Sequence, residues 1–450
     1  MGNPKRKRQR RVARAQSQAA PVHPDAPRRA LRAIVIAYLF IAVSYALTIP
    51  LGKGPDESAH VRYLEFLAQQ HRLPVFDPAH PDPDYEFHQP PLYYLASLPS
   101  FALAREAEAG QQTVRFFTLI FSLALIYLTF AFARNLAPDD PWIPPAAAGV
   151  VAFLPMHLSI ATTVGNDALT EVLAAAALLL LVSHLKRARE SDDARGLRST
   201  IAVGVIIGLG MLTKSIAVLL FPVAWLAAAF AARAPEGFRW RRFLAHAAIT
   251  TGVALLLCGW WLARNQMLYG DPLAQKAFLN AFHGLRPSPQ DFMQRFHVTS
   301  VWAYALLVVT WTLASATGVF GPVMGNRFAF FPNHVYVITG LLAAAGALGF
   351  VRHLARAKLD PWQRQAWYVC GLLVLLLLAS FVRFNLSFFQ AQARYLFPAL
   401  PAAATAFALG LQTLFPQRWR PYILMGMVGL LASLAFLGLH LWIAPQFQSA

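Results

Sequence analysis

Two consecutive stretches decide how this chain is read: LRAIVIAYLFIAVSYALTIP over residues 31–50, then LGKGPDESAHVRYLEFL over residues 51–67. The first is apolar for the length of one bilayer crossing and lacks a small-residue cleavage site. It reads as a first membrane helix and not as a removable signal. The second puts Asp56, Glu57 and His60 where the chain leaves the membrane. Toward the N-terminus, residues 1–32 carry ten Lys/Arg against one acid, Asp25. The reading is a disordered basic tail over 1–30 that lies on anionic lipid headgroups, with no nucleic-acid partner. The Met-Gly start lacks the Ser/Thr that myristoylation needs.

Toward the C-terminus the first pattern repeats. Hydrophobic residues make up 57% of the 450, and charged residues 13%, against about 25% in soluble domains. Further spans are expected near 113–134, 143–162, 168–185, 199–214, 216–232, 243–263, 335–351, 366–382, 395–414 and 421–443. The fold expected is all-α: a polytopic integral membrane protein of about eleven transmembrane helices in one domain, 31–450. The stretch 199–232 would run about 50 Å as one helix, too long for one crossing, so it is split at Thr213-Lys214-Ser215. Cys258 and Cys370 lie in apolar runs and read as buried thiols, with no disulfide framework.

Charge placement sets the orientation. With the N-terminus in the cytoplasm, the cytoplasmic segments hold 26 of 39 Lys/Arg and 8 of 21 acids, so the whole net charge of +18 falls on one side. That is the positive-inside pattern. The apolar stretch 301–320 would invert every later loop if it crossed, so it is expected to be re-entrant or interfacial. The outer segments are then a first loop, 51–112, and a second, 264–334. The location expected is the cytoplasmic (inner) membrane, with the site on the periplasmic side.

The outer segments carry the chemistry. In the first loop, an amphipathic helix over 59–70 places Val61, Leu64 and Leu67 on one face. A Pro- and Asp-rich turn region follows, then Glu86-Phe-His88-Gln89-Pro-Pro-Leu-Tyr-Tyr leads into a second interfacial helix. Asp56 or Glu57 can act as a general base on a substrate hydroxyl; the plain alternative is that Asp56 caps the helix behind it. Glu57, His60, Glu86 and His88 offer ligands for a divalent cation, the one cofactor considered. The alternative is hydrogen bonding among loop residues. Asn166 and Asp167 sit in a short outer turn, as site residues or as helix caps, and Glu171 lies one turn further on. Lys214, Arg264 with Asn265, and Arg394 with Tyr395 place cations at the outer ends of spans, where they anchor the helices or bind an anion.

These segments resemble the membrane glycosyltransferases of the GT-C fold, in particular the protein-mannosyltransferase-like group and, more distantly, the aminoarabinose transferases. The carrying stretches are PDESAHVRYLEFL, HQPPLYYL, GNDAL, GMLTK, WWLARNQMLYGDPL and ARYLFPALPA, in family order between about residues 30 and 415. The resemblance implies a donor sugar on a polyprenyl phosphate. It implies Asp56 as the base of an inverting displacement, and Lys214, Arg264 and Arg394 as the phosphate-holding cations. The acceptor is a glycan, a lipid or a protein. Span eleven runs almost to the end, and no large C-terminal outer domain is expected. A transporter or flippase for lipid-linked sugars is the first rival; it would show internal repeats and interrupted midplane helices, and no repeat is evident. A non-catalytic membrane scaffold is the second, and it leaves the acidic first loop unexplained.

Overall fold

The computed structural model describes residues 25–187, 193–286, 288–324 and 327–449. Most of the expected basic tail, residues 1–24, lies outside them. The first helix, α1 (Ala26–Thr48), begins five residues earlier than expected, with Pro27 in its first turn. Proline there sacrifices no helical hydrogen bond and presets φ.

The first loop contains α2 (Glu57–Gln70), a 3-10 turn over Tyr85–His88, and α3 (Leu92–Ala102). Val61, Leu64 and Leu67 of α2 are buried against Tyr93 and Tyr94 of α3 and their neighbours. Next come α4 (Ala107–Leu136) and the pair α5 (Ile143–Phe153) and α6 (Pro155–Ala161), bent by 65°. The bend has a local cause. Pro155 has no N–H to donate, and it drives Leu154 into an extended conformation (ψ 115°). The chain continues through α7 (Asp167–Arg187) and α8 (Asp193–Met211). The hairpin turn has Lys214 extended, followed by α9 (Leu220–Ala231).

A small ribbon, β1 (Arg233–Ala234) with β2 (Gly237–Phe238), precedes α10 (Trp240–Tyr269). This helix runs six residues beyond the expected span, to a left-handed cap at Gly270. Arg264 and Asn265 therefore belong to its last turns, and the second loop starts later than residue 264. That loop holds α11 (Gln275–Ala281), α12 (Pro289–Arg295), α13 (Val301–Thr317) and a second ribbon, β3 (Val319–Met324) with β4 (Arg327–Phe330). Neither ribbon was expected from an all-α pattern. Both are too short to show an alternation in sequence. The bundle closes with α14 (Asn333–Arg356), α15 (Pro361–Asn385), a 3-10 turn over Ala393–Ala399, α16 (Leu400–Thr413) and α17 (Arg420–Gly438).

Each of the eleven expected stretches coincides with a helix or with the bent pair. Among the described residues, eight helices are long and apolar enough to cross a membrane, nine if the bent pair counts as one. The two hairpin helices, Gly196–Met211 and Ser215–Ala231, are shorter, as is α13. Helices α14 and α16 cross on glycine: a Cβ on Gly410 would overlap the Gly346 carbonyl, and one on Gly349 would overlap Gly410. Such small residues let backbones approach closely where lipid gives no hydrophobic drive to pair. At one end of the bundle Gln363 donates to the Leu136 carbonyl and Lys186 lies over the Trp362 ring. The loops after α4, α7 and α14 thus share that end, and Asp56, Asp167, Lys214 and Arg394 share the other.

Candidate functional site

The first-loop acids divide their roles. Glu57 is fully buried, and both its oxygens are taken by Arg115 of α4, at 2.7 Å from Nε and 2.6 Å from Nη2. The N–H groups of Gly54 and Val164 also donate to it. Arg115 in turn donates to the carbonyls of Ala46, Ile49 and Pro50. This knot ties the end of α1 to α4 and to the turn before α7. Glu57 is therefore corrected from candidate base to structural anchor, because its lone pairs are spent and no substrate can reach them. The sequence signal for Arg115 was an arginine just inside an apolar span, which needs a partner in the bundle.

Asp56 stands directly before α2, yet its carboxylate makes no cap bond. Its backbone is left-handed (φ 55°), which costs a non-glycine residue roughly 1–3 kcal/mol. The effect is to turn the side chain away from the helix and into a cluster. Oδ2 accepts from Arg394 Nη2 at 2.5 Å, and Oδ1 accepts from the Tyr85 hydroxyl at 3.1 Å. The same guanidinium reaches Asp167 Oδ2 through Nη1 at 3.1 Å, and the Lys214 ammonium pairs with Asp167 Oδ1. Arg394 is buried and braced by Gln392 at 2.7 Å, while a third of the Asp56 side chain is exposed. Two carboxylates and two cations from four distant segments thus meet at one end of the bundle. Burial pushes the Asp56 carboxyl up, but the Arg394 guanidinium, with help from Lys214, holds it below the usual carboxylate range.

Beside this cluster lies a second polar group of side chains. His60 Nδ1 is 2.7 Å from the Tyr94 hydroxyl and 4.0 Å from Glu86 Oε2. Burial lowers the His60 pKa and raises that of Glu86, so both favour the uncharged form. His88 donates Nδ1–H to the Tyr85 carbonyl, leaving Nε2 to accept from Gln89 at 3.3 Å; burial brings its pKa to about 4. Asn166 donates to Gln89 Oε1 and to the Thr213 carbonyl, both at 3.1 Å. Tyr395 lies 3.4 Å from Arg394 Nη2.

The expected metal set does not assemble. Glu57 is locked to Arg115, His88 faces a carbonyl and Gln89, and only His60 and Glu86 approach one another. No group of three or more His, Cys, Asp or Glu suited to a metal occurs among the described residues. Nor does Arg264 join the other cations: Nη2 donates to the Pro74 carbonyl at 2.6 Å and the guanidinium lies over Trp261. Asn265 donates to the Pro272 carbonyl. Both pin loops, because α10 extends far enough to carry them past the rim. Glu171 packs inside, its Oε2 at 3.2 Å from His157 Nε2. Sequence reasoning missed Tyr85, Tyr94 and Arg115. Tyr94 stood in the quoted stretch HQPPLYYL and Tyr85 in the Pro- and Asp-rich turn region before it.

A small apolar pocket inside the bundle is lined by Thr170, Leu173, Gly210, Ile216, Leu377 and Pro398 among others. Thr170 is one turn along α7 from Asp167, the Gly210 carbonyl accepts the Lys214 N–H, and Pro398 follows Arg394 in the same 3-10 turn.

The backbone superposes on the oligosaccharyltransferase AglB of Archaeoglobus fulgidus, in its complex with an inhibitory peptide and a dolichol-phosphate, with a TM-score of 0.57. Sequence identity is 16%, over 94% of this chain and 56% of that one. The chain has the GT-C fold. A second GT-C protein, ArnT of Cupriavidus metallidurans bound to undecaprenyl phosphate, gives a TM-score of 0.54 at 17% identity, over 89% of this chain and 64% of that one. The chain therefore spans little more than half the length of the archaeal enzyme. Residues 88–261 match the family model described as dolichyl-phosphate-mannose-protein mannosyltransferase. No curated protein matches the sequence.

Proposed function

We propose that this GT-C protein is an inverting glycosyltransferase that moves a sugar from a polyprenyl phosphate to a hydroxyl on an extracytoplasmic glycan, lipid or protein. The observation that carries the proposal is the junction of Asp56, Arg394, Asp167 and Lys214. A base carboxylate and two cations stand together there, on the same elements whose neighbouring turns line a small apolar pocket. Asp56 takes the acceptor proton as the hydroxyl attacks the anomeric carbon. Charge then grows on the departing phosphate oxygen, and Lys214 and Arg394 are placed to hold it. The site faces away from the basic loops, hence away from the cytoplasm by the positive-inside rule. The two orphaned buried oxygens nearby, Glu86 Oε2 and Asn166 Oδ1, offer acceptors to sugar hydroxyls.

The test is transfer by purified protein in detergent from a mixed pool of polyprenyl-phosphate sugars. Lys214→Ala and Arg394→Ala should each weaken apparent donor affinity about 10- to 100-fold, the equivalent of one charge-assisted contact of about 1.5–3 kcal/mol. No transfer from any lipid-linked donor by the unmodified protein would sink the proposal. Arg264→Ala, which removes a loop anchor, should lower thermal stability and spare the donor affinity.

A further inference from the structure

The Arg394 guanidinium has both Nη atoms engaged, one on each carboxylate. A donor phosphate that takes the Nη N–H now on a carboxylate displaces that carboxylate from the fork. Asp167 keeps a second cation, Lys214, when Arg394 leaves. Asp56 has no other cation within ion-pair distance among the described residues, and it is the more exposed of the two, a third against 15%. Once Arg394 leaves, the Asp56 carboxylate retains one partner, the Tyr85 hydroxyl on Oδ1. Tyr85 is held in turn by an edge-on contact with the Phe282 ring.

We propose that donor phosphate draws Arg394 off Asp56 and so releases Oδ2 as the base, with Tyr85 the positioning residue that keeps the freed carboxylate aimed at the acceptor. The inference rests on the glycosyltransferase reading. Before donor arrives, Asp56 is tied up and cannot activate water. After it arrives, the acceptor O–H proton passes to Oδ2, the acceptor oxygen bonds to the anomeric carbon, and the bond from that carbon to phosphate oxygen breaks. The electron pair stays on the phosphate, which leaves as the prenyl monophosphate. The single negative charges on donor and Asp56 become two on the phosphate and none on Asp56.

The groups facing Asp56 are His60 on α2, Tyr85 and Glu86 on the 3-10 turn, and Asp167, Lys214, Arg394 and Tyr395. Of these Arg394 is the main influence that lowers the Asp56 pKa. Its transfer to phosphate must raise it. The pH profile of kcat/KM for donor reports the free protein, and that of kcat reports the loaded complex. The acidic limb of kcat should therefore lie at higher pH than that of kcat/KM. Tyr85→Phe keeps the ring and its packing. It should lower kcat about 10- to 100-fold, leave the donor KM near normal, and move the kcat limb higher still, since a hydrogen bond to the charged form is lost. Coincident limbs in the unmodified protein overturn the release of Asp56. A Tyr85→Phe protein that is less stable but has unaltered kinetics per folded molecule overturns the role of Tyr85. Absence of transfer altogether overturns the underlying glycosyltransferase reading, a different result from transfer with coincident limbs.

Discussion

At the level of single residues, two neighbouring acids that look equivalent in sequence have opposite fates. Asp56→Asn preserves volume and removes the carboxylate charge, and with it both the capacity to take a proton and the ion pair to Arg394, which keeps Asp167. Transfer should fall by at least about 100-fold, the usual effect of losing a general base, while thermal unfolding stays near normal; an active Asp56→Asn protein would exclude this residue as base. Arg115→Ala should do the reverse. It strands a buried carboxylate on Glu57, a change that costs about 3–5 kcal/mol. It should register as a fall in melting temperature, and pairing it with Glu57→Gln should recover part of the loss. His60, Glu86, Asp167, Lys214, Arg394 and Tyr395, all drawn from the outer motifs, come together near Asp56, whereas Gln89 and Asn166 pair with one another. What stayed hidden was the pairing. Asp56 and Arg394 are 338 positions apart, and no local pattern reveals that they touch. For the same reason Arg264, chemically indistinguishable from Arg394 in sequence, was grouped with it.

At the level of elements, apolar length located the helices, and local chemistry set their ends less reliably. Pro155 and Pro27 act where a proline must. The run of α10 to Tyr269 had no apolar signal, because Arg264, Asn265 and Gln266 continue the helix with polar residues that bond loops and solvent. The α14–α16 crossing permits a direct check. Gly410→Ala adds one methyl against a backbone carbonyl and should cost about 1–3 kcal/mol by overpacking. Gly426→Ala in α17, where a Cβ meets nothing within 4 Å, should be neutral or stabilising. Equal melting temperatures for the two variants would mean that the helices can part without penalty.

At the level of the whole molecule, charge distinguishes the two ends of the bundle. The basic loops share one end and the acid–cation cluster the other. Both native cysteines are buried, so single cysteines can be introduced without removing them. A cysteine in place of exposed His80 should react with a membrane-impermeant thiol reagent added to intact cells, and one in place of Lys358 should react only after permeabilisation. The opposite pattern would invert the molecule and place the cluster in the cytoplasm, where an extracytoplasmic acceptor could not meet it.

The salt-bridge cluster also has a bearing on how the protein is made. Its parts leave the ribosome in the order Asp56, Asp167, Lys214, Arg394, so the carboxylates precede their cations and the last arrives with most of the chain already inserted. Until then the nascent first loop has Glu57 satisfied by Arg115, but Asp56 without its guanidinium. The loop can therefore dock early on its structural pair, while the ion-pair cluster is completed only when most of the chain is in place.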